Sequence, residues 1–476
     1  MSRSDMLNSL VLKACSPGMY LGNEAQAMLN KIAKSLHINL LRICKEYSNR
    51  NLLRICYDMF DKACYNFFAG NYLFSDDISL IKKSEVAPSV FSYLINVILC
   101  SGSESSKRPA ESELIPIVAI ASLLIEACNL SDLLFYTNFE DDGFEVSETG
   151  ALAFTISRRT QGLQERLLEK VAKRRMTMET GELYGDPKSL KSQTKPYDEP
   201  FRDRYKIRLS EICEIMENGI RRINKPPGAI RSSYREFVKK FRKGSNLSKS
   251  TIRRAVSFFE LNSDALTAKW RYYKLYEMRP SSSRQPILRI SGDVGQDGVI
   301  MFGRNALLRA LGLLIADVDR GVIDLGSFSQ HWLQQKGVRF EQQVRNLIAE
   351  YRFRVLHITK TSPSVGEIDC VAYNRDLRML LIIEAKSLKI DLSVKETKWQ
   401  ISNARKWCSQ LKRKAEWVRS NLTEVARQLG ISPKDIHEIK DLIVVEVPTF
   451  SDDSTSSKIA TIEDLFYMLE STCTRA

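Results

Sequence analysis

Three residues toward the C-terminal end of this 476-residue sequence have types and spacing suited to one kind of chemistry: Asp369, Glu384 and Lys386. Glu384 and Lys386 close a nearly continuous apolar run, Arg378 to Ile383, which reads as a buried strand. Alternate side chains of a strand share a face, so Glu384 and Lys386 stand together, about 7 Å apart by strand rise, while Ala385 points away. Asp369 lies in Glu367-Ile368-Asp369-Cys370-Val371-Ala372-Tyr373, an alternating strand that opens with acids. Two such carboxylates are hard oxygen donors suited to Mg²⁺ or Mn²⁺. A divalent cation there lowers the pKa of a bound water until it attacks a phosphodiester. Lys386 then orients the water or stabilises the charge that builds at phosphorus, and without metal it offsets the repulsion between the two acids.

A Glu-x-Lys at a strand end is common by chance and is ordinarily a weak surface ion pair, so it counts only with the elements that position it. A helix over Gly337–Glu350 with Val338, Phe340, Val344, Leu347 and Ile348 as its apolar residues carries Glu341. A strand over Arg354–Thr359 and a polar turn, Thr361–Gly366, lead into the two strands already named. A long helix (Thr397–Leu429), a strand (Asp441–Val447) and a helix (Thr461–Leu469) follow.

Asp369, 14 intervening residues, then Glu384-x-Lys386, in this order of elements, resembles the signature of the PD-(D/E)XK nuclease superfamily, the restriction-endonuclease-like fold. Gly366-Glu367-Ile368-Asp369 is similar to its Mrr-like and Holliday-junction-resolvase-like branches, with Ile368 where the family has proline. The resemblance covers residues 331–476 and is silent on the rest. It implies an α/β domain with a central mixed sheet flanked by helices, and a Mg²⁺-dependent (or Mn²⁺-dependent) deoxyribonuclease leaving 5′-phosphate ends. By the same resemblance Asp369, Glu384 and Glu341 hold the metal and Lys386 completes the catalytic set. Glu367 and a glutamine on the next helix are auxiliary; Gln410 matches best, with Gln400 an alternative.

Charge points to a polyanionic partner. Lys and Arg number 71 against 57 Asp and Glu, a net +14. The excess is local: Arg158–Arg289 holds 32 basic and 15 acidic residues, and the remainder carries −3. There Tyr234, Phe237, Val238 and Phe241 form one helical stripe, leaving Lys239, Lys240, Arg242 and Lys243 on the wet side. After a turn at Gly244–Ser248, a second helix capped by Ser248 or Ser250 buries Ile252, Val256 and Phe259 and shows Lys249, Arg253 and Arg254. The pair resembles the helix-turn-helix of winged DNA-binding domains, with Ile287–Ile290 and Val299–Phe302 as wing strands. A helical hairpin on any basic protein presents a similar solvated face. Trp270, Tyr272, Tyr273 and Tyr276, interleaved with Lys269, Arg271 and Lys274, either stack on bases or belong to a core. Lys406, with Lys398, Lys412, Arg413 and Lys414, adds phosphate contacts from the C-terminal long helix.

Elsewhere the pattern excludes more than it assigns. Residues Asp5–Tyr136 show helical spacing interrupted by a polar loop, Ser101–Ala110. Phe144–Ile156 reads as a hairpin, Gln161–Arg175 as a charged helix and Thr177–Pro200 as a linker. Helices over Arg202–Ile223 stop at Pro226-Pro227-Gly228. Ten cysteines without a Cys-x-x-Cys pair, and four histidines, read as reduced thiols without a zinc site. The longest apolar run, Leu114–Ile125, has 12 residues against the roughly 20 that span a bilayer, and the first residues lack a signal-peptide pattern. The expected organisation is therefore multidomain and mostly α before the C-terminal α/β part. Residues 1–140 form an all-helical scaffold, sensing or partner-binding domain. Residues 141–330 form a basic nucleic-acid-binding region, winged-helix-like around 231–303. Residues 331–476 form the nuclease-like domain. The corresponding function is a cytoplasmic DNA endonuclease of prokaryotic restriction or anti-phage defence, with no membrane association. Its alternatives are a repair or recombination nuclease acting on branched DNA and a non-cleaving DNA-binding protein on a degenerate nuclease fold. RNA is the less favoured substrate. Two cuts on opposite strands call for a homodimer, and the helical domain for a regulatory or phage protein partner.

Overall fold

The computed structural model describes residues 3–68, 78–137, 141–155, 194–243, 245–261, 284–290, 298–319, 321, 323–359, 361–387, 394–446 and 459–473. They form a mixed α/β protein of two compact units, Met1–Leu325 and Gly326–Ala476.

The first unit begins with α1 (Arg3–Leu12), β1 (Gly18–Leu21), α2 (Gly22–Lys45), α3 (Asn49–Phe68), α4 (Ile78–Ser101) and α5 (Glu111–Thr137). Apolar residues at three- and four-residue steps make these helices: α2 buries Leu29, Ile32, Leu36, Leu40 and Cys44. The strand β1 falls within the stretch expected to be all helical. Gly18 (φ 146°) and Gly22 (φ 52°) bend the chain at its two ends, and Tyr20 stacks on Phe144 at 5.3 Å. β1 thereby pairs with β2 (Gly143–Val146), which forms the expected hairpin with β3 (Leu152–Thr155). Helix α5 extends well beyond the 12-residue apolar run; its Glu111–Ser131 part is long and apolar enough to cross a membrane by length and composition, and 61% of its most apolar window is buried.

The unit continues through α6 (Asp198–Tyr205), α7 (Leu209–Arg221), β4 (Ile230–Ser233), α8 (Tyr234–Arg242), α9 (Lys249–Ser257), β5 (Glu260–Leu261), β6 (Ile287–Ile290), β7 (Val299–Phe302) and α10 (Arg304–Asp319). The helices expected over 202–223 are α6 and α7, divided where Lys206 adopts φ 59° and Glu211 accepts the Arg208 N–H at 2.8 Å, starting α7 afresh. The early helices and this later part are joined by Asp61 of α3, which is fully buried. Its carboxylate accepts N–H bonds from Asn305 and Ala306 (both 2.8 Å) at the start of α10, from Gly228 (2.9 Å) and from the Asn305 amide (3.0 Å). Burial raises its pKa, and the four hydrogen bonds act against that rise. Gly303 is needed there: a Cβ would stand 2.2 Å from Asp61 Oδ1.

The second unit runs α11 (Ser327–Glu350), β8 (Arg354–Ile358), β9 (Ile368–Asn374), β10 (Met379–Lys386), α12 (Val394–Ser420), α13 (Leu422–Leu429), β11 (Glu438–Val445), β12 (Ile459–Thr461) and α14 (Ile462–Cys473). Its sheet has the order β12-β11-β10-β9-β8: β8, β9 and β10 are antiparallel, while β11 lies parallel to β10 and β12 parallel to β11. The β10-α12-β11 crossover is the connection that a parallel pair requires. Both faces are covered. Val371, Tyr373, Leu380 and Ile382 pack against Trp407, Leu411 and Val418 of α12, whereas Cys370, Ala372, Leu381 and Ile383 pack against α11 and α14. Three differences from expectation stand out. Helix α11 starts ten residues before Gly337. The long helix breaks at Asn421, whose amide donates to the Trp417 carbonyl at 2.8 Å. The short strand β12 adds an edge that the apolar pattern did not announce. The nine cysteines from Cys15 to Cys408 are free thiols.

Candidate active site

Asp369 and Glu384 meet because they flank a hairpin. β9 and β10 pair up to Ile383 opposite Cys370, so the next step of the ladder brings Glu384 opposite Asp369. The 14-residue interval is thus the length of two strand halves and their turn. Both acids occupy the strand positions that alternate with Val371, Tyr373, Leu380 and Ile382, and so belong to the α12 face. They are buried: Asp369 is 7% exposed and Glu384 1%. Asp369 Oδ2 accepts the Ala385 N–H at 2.8 Å, which fixes the carboxylate across the strands. Lys386 Nζ lies 2.5 Å from Glu384 Oε1, as the shared strand face requires.

The fourth member of the cluster comes from α12. Trp407, Leu411 and Val418 face the sheet at helical spacing, and Lys414 falls in the same stripe. Its ammonium stands between the two acids, 3.3 Å from Asp369 Oδ1 and in contact with Glu384 Oε2. Lys414, expected among the phosphate contacts, is instead 6% exposed and paired with both carboxylates. Two acids and two lysines balance in charge. Gln410, one helical turn earlier, has a buried amide oxygen without a hydrogen-bond partner. Lys406, Lys412 and Arg413 on the same helix are exposed. The side chains of Lys398 and Gln400 lie outside the described residues.

Glu341 approaches from α11, on the opposite face. Arg345 of that helix donates to the Asp369 carbonyl at 2.9 Å and lies 3.8 Å from Glu341. Burial, and then the charge of Asp369, raise the Glu341 pKa. Glu367 is half exposed, its carboxylate 2.5 Å from His357 Nε2 but out of hydrogen-bond alignment. Among the described residues, no three His, Cys, Asp or Glu side chains gather closely enough to hold a metal together. The chemistry of the donors nevertheless fits a hard divalent cation. Asp369 Oδ1 and Glu384 Oε2 already share one cationic group, and the amide oxygen of Gln410 is unpartnered.

No protein-family model, no curated protein and no solved structure matches this chain.

The basic residues of the first unit sit on a small helical and sheet assembly. α7, β4, α8 and α9 are followed by β5, β6 and β7, and the sheet runs β4-β7-β6-β5 with β7 antiparallel to both β4 and β6. The two strands expected as wing strands form over the residues expected. Phe237, Val238 and Phe241 are buried on α8. Ser248 caps α9, its hydroxyl accepting the Thr251 N–H at 3.1 Å, which settles the choice against Ser250. Lys239, Arg242, Lys243, Lys249, Arg253 and Arg254 are exposed, and Lys240 is half buried. Arg254 also donates to the Lys206 carbonyl at 2.5 Å, so part of its role is to hold the end of α6. Phe259 is buried just past the C-terminal end of α9. The Trp270–Tyr276 aromatic cluster, the wing tip at 291–297, the Gln161–Arg175 helix and most of the Thr177–Pro200 linker lie outside the described residues.

Proposed function

We propose that the chain is a divalent-metal-dependent DNA endonuclease whose second unit is a restriction-endonuclease-like domain. The observation that carries this reading is the pairing of two buried carboxylates on adjacent antiparallel strands around a single cationic position, with Lys386 on the free side of Glu384. The mixed sheet, with α11 before it and α12 crossing over between β10 and β11, supports the same reading. When bound, Mg²⁺ or Mn²⁺ supplies Lewis acidity and a water of lowered pKa. The residues do the rest. Asp369 and Glu384 would hold the cation, while the Ala385 N–H fixes the Asp369 carboxylate through Oδ2. Arg345 anchors the Asp369 backbone. Lys386, the more exposed lysine, meets the scissile phosphate and the attacking water. Glu341, on the α11 side, is the auxiliary acid.

The basic assembly supplies affinity. Its order α7-β4-α8-α9-β5-β6-β7, with Lys249 and Arg253 exposed on α9, supports a winged-helix reading in which α9 enters the major groove of duplex DNA. Restriction or anti-phage defence is the setting we favour, with the early helices sensing a trigger; preferential cleavage of branched over plain duplex DNA would move the assignment to repair. A second reading, a DNA-binding protein on a silent nuclease fold, draws on Lys414 holding the cationic position. Plasmid cleavage separates the two. Wild type is expected to nick supercoiled DNA with Mg²⁺ or Mn²⁺, and EDTA, Asp369→Ala or Lys386→Ala to abolish it. DNA binding by wild type without cleavage of DNA or RNA in either metal favours the second reading.

A further inference from the structure

We propose that Lys414 is a resident counter-ion of the carboxylate pair, which a divalent cation must displace, so that metal loading releases a second lysine at the site. The inference rests on the reading of Asp369 and Glu384 as metal ligands, and it adds a positioning role for a residue on a different element. Three observations carry it. The Lys414 ammonium bridges Asp369 Oδ1 and Glu384 Oε2, the oxygens that a shared cation would use. The other oxygens are already committed, Oδ2 to the Ala385 N–H and Oε1 to Lys386, so ammonium and metal compete for the same pair. Lys414 also interrupts an apolar stripe, with Trp407, Leu411 and Val418 as its helical neighbours. A lysine buried at such a position is costly unless paired, which makes the acids its partners of necessity. Two cations cannot share two oxygens at hydrogen-bond distance without strong repulsion. A divalent ion bound there therefore expels the ammonium, and the long flexible side chain carries it toward solvent, where an anionic substrate becomes its partner.

The experiment reads the lysine directly in the wild-type full chain. Amine acylation with peptide mass spectrometry is performed with and without Mn²⁺, and exposed Lys412 serves as internal reference. Lys414 labelling relative to Lys412 is expected to rise about tenfold on saturation with Mn²⁺, within the usual span of coupled binding equilibria. A ratio that stays unchanged while Mn²⁺ binds overturns the inference. In parallel, Mn²⁺ binding is followed by the loss of its free-ion paramagnetic resonance signal. Lys414→Met is expected to bind about tenfold more tightly than wild type, and Asp369→Asn to bind weakly or not at all. A purely structural lysine would move affinity the other way, so equal or weaker binding by a folded Lys414→Met protein also overturns it. If neither wild type nor Lys414→Met binds Mn²⁺, the metal reading of the acids falls along with the inference. If both bind equally, only the inference falls.

Discussion

Replacing Glu384 by Gln turns a charge-balanced cluster into one with a buried net positive charge, and the cost of that change measures how far the cluster is removed from water. Glu384 engages Lys386 through one oxygen and Lys414 through the other. At about 3 Å and an effective dielectric near 20, each contact amounts to roughly 5 kcal/mol before desolvation. Lys414 retains Asp369 at 3.3 Å, and Lys386, whose side chain is 27% exposed, turns to water. The net loss is then about 3 kcal/mol, at the lower end for breaking a buried pair. Lys414→Met leaves the opposite imbalance. Its methionine fits the stripe of Trp407, Leu411 and Val418, so the loss is smaller, about 2 kcal/mol. The double variant Glu384→Gln/Lys414→Met restores balance, with Asp369 and Lys386 as the remaining charges, and should cost about 2–3 kcal/mol where the sum of the single losses is about 5 kcal/mol. The coupling is thus about 2 kcal/mol. Urea unfolding of the full chain in EDTA measures it by fluorescence, since Trp407 and Trp417 lie on the helix that carries Lys414. Single losses below about 1 kcal/mol that add to within about 0.5 kcal/mol would refute the argument, because they describe a solvent-screened surface cluster.

Asp61→Ala strands four N–H groups in the interior of the first unit and should cost about 3–5 kcal/mol, lowering the calorimetric midpoint by roughly 10 °C. A fall of less than about 3 °C would remove Asp61 as the tie between α3 and α10. Burial lowers the pKa of His37, whose Nδ1 meets the Tyr93 hydroxyl at 2.6 Å. The unfolded chain takes up that proton first, so the contribution is complete above about pH 6.5 and is lost as pH falls toward the depressed folded value, at no more than about 1.4 kcal/mol per unit. Thermal midpoints between about pH 7.5 and 5.5 should fall more steeply for wild type than for His37→Gln, and equal slopes would contradict the assignment. In fluorescence anisotropy with duplex DNA, Lys249→Ala/Arg253→Ala should reduce the slope of log Kd against log salt by about 2; with six to ten phosphate contacts, wild-type binding would weaken by about 10³ to 10⁵ between roughly 50 and 200 mM salt. An unchanged slope would take α9 out of the interface.

Where one residue pattern implied one local geometry, the sequence was legible. The short apolar runs Ile287–Ile290 and Val299–Phe302 marked strands that form over those residues, and Glu367–Tyr373 and Arg378–Ile383 marked the strands that pair as β9 and β10. Where structure depended on a partner far along the chain, the pattern was silent. β1 is a strand because two glycines bend the chain and β2 lies beside it, and neither cause shows in the helical spacing around it. The break at Asn421 follows from a side chain bonding back to the Trp417 carbonyl, a local competitor that apolar periodicity does not register.

Lys414 lies between these cases. Its place in the stripe Trp407, Leu411, Val418 was readable, since helical periodicity aims it at the sheet; what could not be read was which acids awaited it there. Lys414 shares the charge of Lys406, Lys412 and Arg413 but not their phase on α12. The phase separates the lysines that face solvent, where a nucleic acid backbone can reach them, from the one that must be neutralised inside. Because a buried ammonium requires a buried anion, an inward lysine on the helix that follows the Glu-x-Lys strand points to the acids as surely as the acids point to a cation.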